Sequence, residues 1–581
     1  MRILEQLIRV LFMRIFLLLI LAWLPTQLRA ATNSSARPAG PPTVRKHLVY
    51  LRDKVNTPYS LSAPQNFLTP RSLERRSRQR IALLPRDLPV NPAYVAQVQA
   101  VAGASVRYTS RWFNAVVVEC DSVTLGVVQA LPCVRNVQTL NRSTTPAAPS
   151  TTRFEPVTGR PAATRADYGK AYAQAHQIGA DVMHDAGFRG EGMQIAVLDM
   201  GFPGVNTGAV FASLYQENRL ASVYNFVERS QNAYWATNNG YNTDHGTLVL
   251  STMAGNQPGV FLGTAPQATY HLFVTEDVAS EHPVEEVNWL IAAERADSLG
   301  VDIINSSLGY NTFDAPSVDY TYANLDGRTA LSTRAATVAA RVGMLVVNSV
   351  GNEGNVRDWR YLLAPADADS ILTVGAADSL GRRASFSSIG PTADGRLKPN
   401  VSAMGRQAAF VYPSGTVGRD DGTSFSSPIT AGLAAGFWQA HPTLTAQQVI
   451  DYLQRSASQA TAPDNLLGYG IPDFGRAQQA VAGIPLPAAS AGMVGSAPQL
   501  YPNPVPAGAA ACTLQLPTEL RTQPLEVRLY DVRGTLVTAL NLAAPNAATV
   551  QLPTAALRPG VYSCRVGRVG AAPYTLRLIR L

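Results

Sequence analysis

Between about Asp181 and Ile484 short apolar runs alternate with longer stretches of helical periodicity, and this alternation constrains the fold more than any other feature of the chain. MQIAVLD is a continuous apolar strand, and VDIINSSL and GMLVVNSV read as further buried strands. Between them PVEEVNWLIAAERADSLG sets Val284, Val287, Leu290 and Ile291 on one helical face and stops at Gly300. Alternating units of this kind predict an α/β domain over residues 181–483: a parallel sheet with helices on both faces.

The flanks read differently. With 581 residues the chain exceeds one ordinary core and calls for several folded units. Arg2, Arg9 and Arg14, the run IFLLLILAWL from Ile15, and LRA ending at Ala30 predict a secretory signal peptide over residues 1–30. Residues 31–142 follow the pattern of a small α+β domain, with a strand in HLVYLR, a basic helix around SLERRSRQRIALL and further strands in SVRYTSRWFNAVVVE and VRNVQTL. A Thr/Pro/Ala-rich stretch inside residues 143–180 is expected to be an exposed, cleavable linker. After a second tether, 484–499, residues 500–581 show only short alternating strands, as a small β-sandwich would.

Charge divides along the same lines. Residues 31–180 hold 19 Lys and Arg against 7 Asp and Glu, whereas residues 181–483 hold 17 against 29. The overall +8 therefore does not point to nucleic acid. A +12 segment beside a −12 domain instead predicts two surfaces that dock. The four cysteines, Cys120, Cys133, Cys512 and Cys564, all lie outside the central domain; export would permit a bond within each outer pair, and spacing leaves that open.

Three central segments carry candidate chemistry. Asp199, in IAVLDMG, ends an apolar strand, where parallel sheets build their sites. His245, in NTDHGTLVLSTMAG, opens a small-residue helix closed by Gly255. Ser424, in DDGTSFSSPITAGLAAGFW, is expected at the amino end of a helix, with Pro428 in the first turn, so that free N–H groups and the helix dipole face charge developing beside its oxygen. A fourth, VVNSVGNEGN, places Asn352 after a buried strand, where its amide could complete an oxyanion hole.

In their order Asp, His, Ser, and in the segments D-x-G, H-G-T-x-V and G-T-S-x-S-x-P, residues 181–483 resemble the catalytic domain of the subtilases. The order differs from those of α/β-hydrolases and chymotrypsin-like proteases, which argues against a secreted esterase. Two positions depart from the family: Met200 follows the Asp where Ser or Thr is usual, and Ser349 and Val350 precede Gly351 where two alanines are usual. The resemblance implies a subtilisin-like sheet and a serine endopeptidase needing no cofactor for its chemistry, with Asp199, His245, Ser424 and Asn352 catalytic. It also implies that Ser306, Ser307, Leu308, Gly309 and Tyr310 pair with an extended peptide substrate, and that Ser307 to Gly309 with Ser349 to Gly351 line the primary specificity pocket.

By the same resemblance residues 46–142 are similar to a subtilase prosegment, a ferredoxin-like domain that inhibits its own enzyme and assists its folding. YPNPV at Tyr501, VRLYDVRG near Asp531 and LRPGVYSCRV near Gly560 make residues 500–581 similar to the sorting domain of type IX secretion, which implies passage across the outer membrane to the cell surface or medium before the domain is removed. The expected partners are protein or peptide substrates, the chain's own prosegment and the secretion machinery; a monomer is expected. Structural calcium could sit at Asp420 and Asp421 or at Glu276 and Asp277, although paired acids are commonly just solvated. A silent subtilase fold serving as a surface adhesin is the competing class, and the complete set of four site residues argues against it.

Overall fold

Seven strands, all paired in parallel, set the frame of the central domain: β5 (Gln194–Asp199), β6 (Leu220–Asn225), β7 (Thr269–Val274), β8 (Ile303–Ser306), β9 (Leu345–Ser349), β10 (Leu372–Ala377) and β11 (Val401–Met404), in the order β11-β10-β9-β8-β5-β7-β6. The computed structural model describes residues 43–141, 166–235, 237–238, 241–483, 498–503, 505–516, 520–531, 535–568 and 574–580. The predicted signal and most of the two predicted tethers, 143–165 and 484–497, lie outside the described residues. The chain divides into two units, residues 1–483 and 484–581. Among the described residues no helix is long and apolar enough to cross a membrane.

Parallel pairing puts every strand's carboxyl end on one edge of the sheet. Asp199 lies level with Val274 of β7, and Ser306 of β8 lies level with Leu198 of β5 and Asn348 of β9. The helices that matter for this edge are α4 (His245–Ala254), α5 (Val284–Leu299), α6 (Leu331–Arg341) and α7 (Thr423–Ala440).

Ahead of this domain, in the same unit, β1 (Arg45–Leu51), β2 (Ser105–Ser110), β3 (Ala115–Cys120) and β4 (Val134–Thr139) form an antiparallel sheet in the order β2-β3-β1-β4, the ferredoxin-like arrangement. Its helices α1 (Pro70–Arg78), α2 (Pro92–Gln99) and α3 (Ser122–Gln129) start where a side chain satisfies a free N–H: Thr69, Asn91 and Asp121 accept from Ser72, Ala93 and Thr124.

The periodicity of α5 predicted a single apolar face, yet thirteen of its sixteen residues are buried, Glu285, Glu286, Glu294 and Asp297 among them. The reason is that the N-terminal domain covers its outer side. Arg75, Arg76 and Arg111 all reach the Asp297 carboxylate, Arg76 at 2.7 Å and Arg111 at 2.5 Å, while Arg71 reaches Asp302 at 2.5 Å. Glu294 accepts from the Ser110 hydroxyl at 2.5 Å and from the backbone N–H groups of Arg111 and Trp112. Burial alone would raise the Asp297 pKa, but the guanidiniums of Arg111, Arg75 and Arg76 outweigh it and hold the carboxyl below its usual range. Around these charges Leu48, Tyr50, Trp112, Phe113 and Leu140 share one apolar core with Val287, Leu290, Leu331 and Ala335. Gly300, at φ +85°, ends α5, and a Cβ there would stand 2.7 Å from the Arg71 side chain, so glycine is needed both for the turn and for the approach of α1.

The C-terminal unit is a two-sheet sandwich. β12 (Gln499–Tyr501), β13 (Ala511–Gln515) and β16 (Thr549–Pro553) face β14 (Leu525–Tyr530), β15 (Leu536–Leu542), β17 (Gly560–Arg568) and β18 (Tyr574–Arg580) across one core.

Replacing Asp297 by alanine leaves three guanidiniums at a buried interface without their shared carboxylate. The expected cost is about 3–5 kcal/mol, read as a lowered melting temperature of the intact chain, whereas removing the exposed Asp451–Arg455 pair on the surface leaves it unchanged.

Candidate active site

Asp199, at the carboxyl end of the central strand β5, has no exposed surface. Its Oδ1 accepts at 2.8 Å from the Met200 N–H and at 2.8 Å from His245 Nδ1. Because Nδ1 faces a carboxylate it carries the proton, which leaves Nε2 as the acceptor. Met200 has no side-chain donor to offer, and Asp199 Oδ2 is buried with no hydrogen-bond partner among the described residues.

His245 is the first residue of α4, and two glycines let that helix close on β5. A Cβ on Gly246 would lie 2.3 Å from the Gly201 carbonyl oxygen and 3.0 Å from the Asp199 Cβ; one on Gly201 would lie 2.8 Å from the Thr243 carbonyl oxygen. The glycines of the D-x-G and H-G segments thus interlock and set the Asp–His separation. Burial opposes the imidazolium, but the Asp199 charge and hydrogen bond, with smaller help from Asp244 and Glu276, outweigh it and raise the His245 pKa.

Ser424 is half-buried in the first turn of α7, with its N–H free of any intrahelical carbonyl. Its Oγ is 3.5 Å from the Ser307 carbonyl oxygen. Pro428 falls in the second turn of α7 and not in the first, because the helix begins at Thr423. The carbonyl that its missing N–H would have satisfied, four residues earlier, is that of Ser424 itself. That oxygen accepts from the Ser307 hydroxyl at 2.9 Å, so the proline ties the serine helix to the segment after β8.

Asn352 follows β9, after Gly351 at φ +113°. Its Oδ1 accepts from the Thr423 N–H and hydroxyl, both at 2.9 Å. With the oxygen so engaged, the amide NH₂ is turned away from Thr423, and Asn352 is exposed. Thr423 was not singled out in the sequence; its place in G-T-S was the available signal.

The candidate binding segments divide. The Ser306 hydroxyl is buried and accepts from the Trp289 indole at 3.0 Å, and Ser307 is spent on Ser424. Leu308 and Ser349 are 8% and 4% exposed, Gly351 is buried and Gly309 is exposed. Tyr310 pairs through its backbone with Ala364, and its hydroxyl donates to Glu276 at 2.8 Å. Glu276, beside the site, has its pKa raised to about 7, first by burial and then by the charges of Asp199 and Glu286.

Three of the acids considered for calcium accept hydrogen bonds from the protein. Asp420 accepts from the Asp421 N–H, Asp421 from Gln407, and Glu276 from Thr275 and Tyr310. Among the described residues no group of three or more His, Cys, Asp or Glu is arranged to hold a metal ion.

Comparison with known proteins fits this geometry. Residues 190–470 match the model of the subtilase family, residues 46–153 the Peptidase S8 propeptide domain of Bacteroidota, and residues 499–579 the secretion system C-terminal sorting domain. The chain is 34% identical over 286 residues to Subtilisin of Bacillus pumilus, covering 48% of this chain and 90% of that protein. The chain belongs to the subtilase family. This subtilase is also 34% identical to Subtilisin NAT of Bacillus subtilis subsp. natto over 286 residues, and 30% identical to the Thermostable alkaline protease of Halalkalibacterium halodurans over 304. The matched region is 48% of this chain and 65% of the first, and 52% of this chain and 72% of the second. It thus spans just under two thirds of the length of Subtilisin NAT.

Gly246→Ala forces a methyl group into the Gly201 carbonyl and must push α4 off β5. The His245 imidazole is then expected to titrate closer to the ordinary 6.5 when followed by NMR, with a stability loss of about 1–3 kcal/mol.

Proposed function

We propose that this subtilase is a secreted serine endopeptidase made as a zymogen, hydrolysing protein or peptide substrates through an acyl-enzyme. The observation that carries the reading is the link from a fully buried carboxylate to one nitrogen of His245, which leaves the other nitrogen as an acceptor. His245 takes the Ser424 proton as the hydroxyl oxygen attacks the peptide carbonyl, and Asp199 stabilises the imidazolium that forms. The imidazolium then protonates the leaving amine, the acyl-serine remains, and water attacks it by the same route in reverse order.

The oxyanion is met by the free Ser424 N–H and by the Asn352 amide, whose orientation is set through Thr423. The base must be neutral to accept a proton. Since its pKa is raised, kcat/KM is expected to fall as pH drops through a value above the ordinary 6.5 for histidine.

Residues 31–142 act in this reading as an intramolecular inhibitor, supported by the propeptide-family match and by the charged and apolar surface they bury on α5 and α6. The sorting-domain match supports delivery through a dedicated secretion machinery to the cell surface or medium. The mature enzyme is read as a monomer requiring no cofactor for its chemistry.

Purified precursor is expected to trim its N-terminal segment and then cleave casein, with Ser424→Ala staying full length and inert by mass spectrometry of the termini. Asn352→Ala is expected to lose about 10²- to 10³-fold in kcat. If wild type stays inert after another protease removes residues 31–142, the enzyme reading fails and the binding-protein class replaces it.

A further inference from the structure

The four cysteines are thiols in the structure, and the two outer pairs have opposite geometric prospects. In the N-terminal domain Cys120 lies opposite Arg45 at one end of β1, while Val134, just after Cys133, lies opposite Leu51 at the other end. Six residues of strand separate those positions, about 20 Å at 3.3 Å per residue, far beyond the roughly 7 Å between Cα atoms that a disulfide spans. Cys120 and Cys133 cannot be joined.

The C-terminal pair differs. Cys512 stands on β13 beside Leu552 of β16, and Cys564 stands on β17 between Leu529 of β14 and Leu576 of β18. These strands belong to the two facing sheets, and the alternation of burial along each turns both side chains inward. Both sulfurs enter the one core of this small domain, at 1% and 0% exposure. They are near enough that Cys512 adds, after burial, to the causes that push the Cys564 thiol up to about 12.

We propose that Cys512 and Cys564 form a disulfide that joins the two sheets of the C-terminal sandwich in the precursor once it has left the cytoplasm. The thiolate of one attacks an external disulfide, such as that of a thiol–disulfide oxidoreductase or oxidised glutathione, and one donor sulfur leaves as a thiolate. The second cysteine thiolate then displaces the other donor sulfur. Two protein thiols have lost two electrons and two protons, and the donor has become two thiols. Burial and the raised thiols of the finished domain make it a poor substrate for this exchange, so the bond forms while the chain folds and is shielded from reductant afterwards. A small sandwich gains from a staple that limits its unfolded ensemble. The inference depends on the export reading only for where the oxidant is met.

The test uses the full chain carrying Ser424→Ala, to block self-trimming, in two preparations: extracted from the periplasm before the sorting domain is removed, and refolded from guanidinium in a mixture of reduced and oxidised glutathione. Each is unfolded, alkylated with N-ethylmaleimide and read by mass spectrometry. The expected result is two alkyl groups per chain, on Cys120 and Cys133, with the Cys512 and Cys564 peptides recovered as one linked pair. Dithiothreitol present during refolding is expected to lower the melting temperature of the C-terminal transition, and to leave it unmoved in the double variant Cys512→Ser, Cys564→Ser. Free thiols at 512 and 564 in either preparation, or linkage to Cys120, Cys133 or a second chain, overturn the proposal. Export itself is scored separately by blotting the medium, so its failure is distinct from failure of the pairing.

Discussion

The parallel register of the central sheet is the constraint on which the site depends. Because β5, β8 and β9 all run the same way, the turns after Asp199, Ser306 and Ser349 emerge on one edge. Two helices then approach that edge by their amino ends, α4 with His245 and α7 with Ser424. The carboxylate, the imidazole and the hydroxyl are thus supplied by three separate elements. The Asp199–His245 hydrogen bond, the close packing at Gly201 and Gly246, and the Ser307–Ser424 link help hold them in relation. A site of this kind is as precise as the packing between strand and helix, and at Gly201 and Gly246 that packing leaves no room for a side chain.

A second layer of organisation comes from charge. Asp297 and Glu294 lie on the surface of the helical layer, and the N-terminal domain brings three arginines and a row of backbone N–H groups to them. Burying ions is costly unless each is fully met, and here the Asp297 carboxylate receives more than one guanidinium while Glu294 receives a hydroxyl and two amides. Departure of the N-terminal domain would return these carboxylates to water without leaving them stranded in a core. That arrangement suits an interface meant to be both specific and temporary.

Sequence pattern points to candidate site residues where chemistry and local backbone coincide. An acid at a strand end, a histidine opening a helix and a serine at a helix start are each visible in a few neighbouring residues, and the comparison with subtilases agrees with their common family. It went astray or stayed silent where a contact spans distant parts of the chain. Pro428 was expected in the first turn, but its real consequence is the Ser424 carbonyl it leaves for Ser307, 117 residues away. Thr423, to which no role was given in sequence, orients Asn352. Ser306, grouped with the binding strand, is buried against Trp289. The single apolar face expected of α5 missed the covering domain, since periodicity within one helix carries no information about what packs on its outer side.

Local pattern and composition by themselves determined the α/β core, the order of the flanking domains, the opposite charges of the two that dock and the residue types of the candidate site, because each of these is encoded in periodicity, in net charge or in a handful of adjacent residues. Tertiary structure alone decided which proton sits on which nitrogen of His245, which serines are spent on internal hydrogen bonds, and which cysteines can meet. The physical reason is the same in each case: these properties depend on separations of a few ångströms between atoms from different elements. Spacing along the chain gives no measure of such distances until strand register and helix packing are known.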